Sequence, residues 1–142
     1  MHITVSRHLD GAPDDVWADV SELRTHAEWM SDAESVEVVS RSSRGVGVVL
    51  RVPTRIGPLT TVDWIIVTSW DPPHRIGVVH IGIVTGSGEF RLEPEGDGTR
   101  FVWDEELTLP IHLGGRLGEV FARRIIEGIW ARNLDRLAER FD

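Results

Sequence analysis

Three side chains in the middle of this chain, Glu105, His80 and Asp63, have the right chemistry to move protons or to hold a polar group. In the run from Arg100 to Leu109, strand alternation puts Phe101, Trp103, Glu105, Leu107 and Leu109 on one face, with Val102, Asp104, Glu106 and Thr108 on the other. The first set is the apolar, inward one, and it carries Glu105 inside. A carboxylate facing an apolar cavity needs a partner to hold its charge there, and it suits polar recognition or general acid-base work. The competing reading is a carboxylate at the cavity mouth that stays solvated or pairs with an Arg. His80 falls in step with Ile76 and Val78, so its imidazole turns inward. It is there either to donate a hydrogen bond and move a proton near neutral pH, or as a satisfied core residue. For Thr60 to Trp70, alternation alone permits either Val62, Trp64 and Ile66 or Asp63, Ile65 and Val67 to face in. In the second case Asp63 becomes a second interior carboxylate beside Glu105, a pairing that can divide acid and base roles.

Composition narrows the chemistry further. All 15 basic residues are Arg, and the chain has no Lys, Cys, Tyr or Gln. A thiolate nucleophile, a disulfide, a Schiff base and a phenolic acid are therefore excluded. The six His, at positions 2, 8, 26, 74, 80 and 112, show no metal-ligand spacing. His80 with Glu105 supplies two ligands where a zinc site needs three or four, so neither a metal nor a cofactor is expected. Gly114-Gly115 lies in neither a Walker pattern nor GxGxxG and reads as a tight turn.

The formal charge of -8 argues against nucleic acid as a partner. A hydrophobic fraction of 41% with 27% charged residues is that of a globular protein, and no apolar run reaches the roughly 18 residues of an integral membrane segment. Met1-His2-Ile3-Thr4-Val5 lacks the features of a secretory signal, so the cytoplasm is the expected compartment. At 142 residues one domain, spanning 1–142, is expected, as a monomer or homodimer.

These residues must be positioned by the surrounding elements. Ile3 to Leu9 alternates as a first strand. Pro13, Asp14 and Asp15 open a short helix through Val16, Trp17 and Val20, with Asp10 as its expected cap. A second short helix carries Leu23, Ala27 and Met30 on one face and ends at Trp29. From Val36 to Leu109, Gly, Pro and Asp clusters recur every eight to twelve residues, the spacing of antiparallel strands. Strands are predicted at about 35–43, 46–55, 59–70, 75–84, 86–94 and 100–109, which makes seven with the first.

One long helix, from about Gly114 to Phe141, closes the chain, and its apolar phase drifts. Phe121, Ile125 and Ile129 centre on one face, whereas Ile126, Trp130, Leu134, Leu137 and Phe141 centre on another. The expectation is a rod whose first half covers a cavity and whose second half packs on the sheet, with Gly128 able to bend it between them. Trp17 and Trp130 are read as core. The expected ligand wall comprises Trp29, Trp64, Phe90, Phe101, Trp103, Glu105, Phe121, Ile125 and Ile129.

Turn and packing signatures carry a resemblance that runs nearly end to end. They are Pro13 with Val16-Trp17, Trp29, Gly45-Val46-Gly47, Asp71-Pro72-Pro73 with Arg75-Ile76, and Leu92-Glu93-Pro94 followed by Gly98-Thr99-Arg100. The chain resembles the START-like, or SRPBCC, superfamily and its polyketide cyclase/dehydrase branch. That resemblance implies an α+β helix-grip fold, a seven-stranded antiparallel sheet wrapped around the C-terminal helix, with a cavity between them. It also implies binding or transport of a small hydrophobic molecule such as a lipid, a quinone or a polyketide-like compound. One alternative is a cyclase- or aromatase-like enzyme using Glu105, His80 and Asp63 without metal or covalent intermediate; another is an interaction module without ligand. No catalytic residue carries over from the resemblance, because its motifs are turn and packing signatures.

Overall fold

Hairpin after hairpin is what a chain punctuated every ten residues by turn formers builds, and the computed structural model describes all 142 residues in that form. Seven strands, β1 (His2–Leu9), β2 (Glu37–Val38), β3 (Val49–Ile56), β4 (Leu59–Asp71), β5 (Arg75–Ile81), β6 (Thr85–Glu95) and β7 (Gly98–Thr108), form one sheet in the order β1-β7-β6-β5-β4-β3-β2. Every neighbouring pair is antiparallel. β2 to β7 form a meander, and β1 returns to pair with β7 along its whole length, from His2 opposite Glu106 to Leu9 opposite Thr99. The β3–β4 and β6–β7 turns pass through Gly57 and Gly96, both at φ 58°, a conformation that glycine adopts without steric cost.

Two strands differ from their expected extents. The segment predicted as a strand at 35–43 pairs only at Glu37 and Val38, and Gly45 and Gly47 both adopt positive φ before β3 begins at Val49. β5 stops at Ile81, and the turn expected at Thr85-Gly86 lies earlier, so that Thr85 and Gly86 are already paired in β6.

The first helix, α1 (Pro13–Val20), starts at the predicted proline with Asp14 and Asp15 in its first turn. Its cap position is Ala12 and no side chain caps it. Asp10 instead lies 3.5 Å from the His8 ring. The expected second helix is a 3₁₀ segment, Leu23–Glu28. A further 3₁₀ turn, Ile111–Leu113, precedes the long helix α2 (Gly115–Glu139), which runs unbroken through Gly128.

α1, the first 3₁₀ segment and α2 pack on one face of the sheet. A single apolar cluster joins Val16, Trp17 and Val20 of α1 to Leu50, Val67, Leu92 and Phe101 of the sheet and to Ile126, Trp130, Leu134 and Leu137 of α2. The second half of α2 thus holds the sheet as expected, with Phe141 packed against the same cluster. In the first half Ile126 and Ala122 turn to the core, but the face expected to cover the cavity does not: Phe121 is 75% and Ile125 57% exposed, and Leu117 and Val120 are exposed beside them. A 25-residue helix is a straight rod of about 38 Å and follows a twisted sheet over only part of its length.

Polar clasps fix where that rod sits. Asn133, fully buried, donates from Nδ2 to Asp32 Oδ1 at 2.8 Å, and its Oδ1 accepts from the backbone N and hydroxyl of Ser31, both at 3.0 Å. Trp130 Nε1 donates to the other Asp32 oxygen at 3.2 Å. Two turns further on, the Arg140 guanidinium grips both Asp19 oxygens and Glu28, tying the end of α2 to α1 and to the 3₁₀ segment. Removing Asn133 takes the acceptor from the Ser31 N–H and hydroxyl and leaves Asp32 with Trp130 as its remaining donor. Asn133→Ala is expected to destabilise the fold by roughly 2–4 kcal/mol, read as a lower urea midpoint at unchanged slope. A loss below about 0.5 kcal/mol, the scale of an ordinary surface change, would show that the clasp does not anchor the helix.

Candidate ligand cavity and its Asp-His-Glu network

Between the sheet, the 3₁₀ segment and α2 lies a cavity of about 180 Å³ with a mainly apolar lining. Leu50, Val52, Ile65, Val67, Ile76 and Val78 form its sheet wall; Leu23 and Met30 close one side, and Ile126 and Trp130 of α2 another. The residues reaching it alternate along each strand, as the pleat requires.

The unresolved phase of β4 is settled in favour of Asp63. Thr61, Asp63, Ile65 and Val67 line the cavity, whereas Trp64 stands on the outer face and is 40% exposed. On β5, Ile76, Val78 and His80 face inward together, and on β7 Trp103, Glu105 and Leu107 do. Strand register then brings the three candidate groups together. His80 is opposite Ile65 on β4, one pleat beyond Asp63, and opposite Gly86 on β6; Glu105 is opposite Gly88 on β6. Two residues of β6, Gly86 and Gly88, thus occupy the ground between His80 and Glu105, and neither has a side chain to fill it.

Across that bare stretch the side chains meet. His80 Nδ1 lies 2.8 Å from Asp63 Oδ2, and His80 Nε2 lies 2.8 Å from Glu105 Oε2. The other Glu105 oxygen accepts the indole N–H of Trp103 at 3.1 Å. Trp103 is in turn stacked on Trp130, with ring centroids 4.2 Å apart and planes inclined by 11°. Glu105 reaches His80 by lying directly over Gly88: a Cβ there would be 2.0 Å from Oε2 and 2.1 Å from the carboxyl carbon.

Burial works against a charged His80, but hydrogen bonds to Asp63 and Glu105, reinforced by both negative charges, override it and raise the imidazole pKa from 6.5 to about 10. At neutral pH the ring is an imidazolium that donates from both nitrogens. A second histidine on the cavity wall is in the opposite state. Burial pushes the His26 pKa down, and its Nε2–H donates to the Val20 carbonyl at 2.7 Å, so this ring is a neutral donor.

The other expected wall residues divide. Phe90 and Trp103 line the cavity, and so does Trp130, which the sequence reading placed in the core. Trp29 and Phe101 are completely enclosed behind that wall, each in edge or tilted contact with Phe90. Ile129 packs against the core, and Phe121 and Ile125 lie outside, so none of these three lids the cavity. Two buried polar atoms have no protein partner, Trp29 Nε1 and Thr61 Oγ1. Neither Gly88 nor Thr61 was singled out from the sequence; the signal for Gly88 was Gly86-Ser87-Gly88, two glycines in step on one strand face.

A sheet gripping one long helix around a cavity is the helix-grip architecture of the START-like proteins. The chain belongs to the family described as polyketide cyclase/dehydrase and lipid transport, whose model matches residues 1–142. It is 29% identical to an uncharacterized protein of Mycobacterium tuberculosis, over 98% of this chain and 97% of that one. Among solved structures it is similar in fold to a Thermus thermophilus protein (TM-score 0.81, 22% identity, covering 99% of this chain and 97% of that one). It is also similar to a START superfamily protein from Mycobacterium smegmatis (TM-score 0.81, 14% identity, covering 99% and 96%). A third is the Zhui aromatase/cyclase from Streptomyces (TM-score 0.72, 19% identity, covering 98% and 89%). No helix is long and apolar enough to cross a membrane.

Two outcomes follow from the network. Gly88→Ala should leave the fold intact but push the Glu105 carboxylate off His80, so that the His80 titration followed by NMR moves down from about 10. An unchanged titration would mean that Glu105 does not depend on the bare backbone beneath it. The second concerns stability. Because the folded pKa of His80 lies above its unfolded value, its stabilising contribution is fully present below pH 6.5 and is lost as pH rises through about 10. With no Lys, Cys or Tyr, few other groups titrate in that window. The gap in unfolding free energy between wild type and His80→Asn should therefore narrow from pH 6.5 to 10. A gap that stays constant or widens contradicts the assignment.

Proposed function

We propose that this protein binds a small hydrophobic molecule, of the lipid, quinone or polyketide-like kind, inside the cavity. The observation that carries this reading is an apolar chamber of about 180 Å³ with a charged hydrogen-bonded cluster, Asp63–His80–Glu105, converging on it. Apolar walls supply affinity in proportion to buried area, and a few convergent polar groups fix orientation. A dry apolar cavity of about 150 Å³ already accepts benzene, so this one admits a compact ring system or one end of a longer chain. Native mass spectrometry of freshly purified protein, with extraction of any bound molecule, tests the reading. The expected result is a retained hydrophobic compound, or a rise in melting temperature with members of a lipid, quinone and polyketide panel, because a ligand that prefers the folded state stabilises it. No retained compound and no shift across the panel would refute it.

The same cluster favours a second reading, an acid-base enzyme of the cyclase or dehydrase type. In it a substrate oxygen would displace one carboxylate, Glu105 or Asp63, from His80 and take the proton of that ring nitrogen, while the displaced carboxylate accepts a proton from an adjacent carbon. The two carboxylates differ in surroundings, with Glu105 braced by Trp103 and nearly enclosed and Asp63 more open, and such a difference separates acid and base roles. Glu105→Gln is expected to lower turnover of an accepted substrate by about 100-fold or more while leaving its binding nearly unchanged. Equal turnover in wild type and variant would dismiss Glu105 as the catalytic group.

A further inference from the structure

The charge balance of the cavity narrows the class of ligand. Two hydrogen bonds join three groups, so two protons are shared among Asp63, His80 and Glu105. Both sit on the ring, so the imidazolium and two carboxylates together carry one net negative charge. None of the 15 Arg side chains lines the cavity; the other acidic groups on its wall are Asp32, engaged by Trp130 and Asn133, and Glu89, held by Arg75 and Arg91. An anion entering this chamber would meet negative charge with no counter-charge, in surroundings where screening is weak.

Hydrogen-bonding capacity is equally one-sided. Both ring nitrogens of His80 are occupied, and Trp103 donates to the Glu105 oxygen that His80 does not use. Asp63 keeps one oxygen, Oδ1, outside the network, and it is an acceptor. Two residues earlier, on the same face of β4, Thr61 lines the cavity and its hydroxyl is buried without a partner. A buried hydroxyl left unpaired costs about 1–3 kcal/mol, and a ligand group able to take its proton would remove that cost.

We propose that the polar end of the ligand is a neutral hydroxyl, phenolic or alcoholic, which donates to Asp63 and accepts from Thr61, and that carboxylate and phosphate ligands are rejected. This rests on the cavity being a ligand site. A hydroxyl is the smallest neutral group that is both donor and acceptor, and it matches the two side chains together. A bare hydrocarbon matches neither, and a carboxylate meets like charge.

Equilibrium dialysis of the full chain at pH 7 with 2-naphthol, naphthalene and 2-naphthoate tests this, since the three share one ring system and differ at a single substituent. The expected order is 2-naphthol tighter than naphthalene by about tenfold or more, with 2-naphthoate weakest. Thr61→Val should reduce the advantage of 2-naphthol over naphthalene, and Thr61→Ser should restore it. The proposal is overturned if 2-naphthoate binds as tightly as 2-naphthol, if naphthalene matches 2-naphthol, or if Thr61→Val keeps the full preference. In each of those cases the cavity still binds a ring compound and the ligand-site reading survives. If none of the three binds, the ligand-site reading fails and the hydroxyl preference fails with it.

Discussion

The chain places two carboxylates on the wall of an apolar chamber, and one imidazolium holds them there. Burying a charge is costly unless it is paired and hydrogen-bonded, and removing one member of a buried set is worse than never having had it. His80 meets that requirement for both Asp63 and Glu105. The requirement propagates outward: β4, β5 and β7 must keep a register that brings three side chains to one point, and β6, which separates β5 from β7, must offer no side chain in between. Trp103 extends the same chain of dependence, bracing Glu105 with its N–H and stacking its ring on Trp130 of α2.

The far end of that chain is the clasp around Asp32. Trp130 and Asn133 each bind one oxygen of Asp32, and Asn133 also holds Ser31, so the helix is fixed to the loop that follows the 3₁₀ segment. The polar network on the sheet and the polar clasp on the helix are therefore joined through two stacked indoles. Movement of α2 relative to the sheet is resisted where that stack lies and, in the first half of the helix, where Glu119 holds the N-terminal ammonium and the Leu109 N–H, while Leu117, Phe121 and Ile125 face solvent.

What the sequence disclosed follows the reach of its periodicities. Period-two alternation identified the inward face of β7 and of β5 because each carries an unbroken apolar set, Phe101, Trp103 and Leu107 on one and Ile76 and Val78 on the other. It failed on β4 because Val62, Trp64 and Ile66 are as apolar as Ile65 and Val67, so neither face of that strand stands out. Only pairing with β5, where Ile65 is opposite His80, selects the face that holds Asp63. The drift in apolar phase along α2 was real, but it marked where the helix leaves the sheet, since Phe121 and Ile125 face solvent. Helical phase reports which residues share a side of the rod and nothing about what lies opposite. Nor does a linear pattern show a residue whose role is to be absent, as with Gly88, or a hydroxyl whose role is to be unpaired, as with Thr61.

Gly88 has a meaning for how such a cavity diversifies. The chamber itself is held by a core cluster of 23 buried residues, whereas the contact between its imidazolium and its deepest carboxylate passes over a space one methyl group wide. A single codon change at that position would silence the polar network and keep the container. Gly88 is therefore the position at which the shape of the chamber and the wiring of its polar network can vary separately.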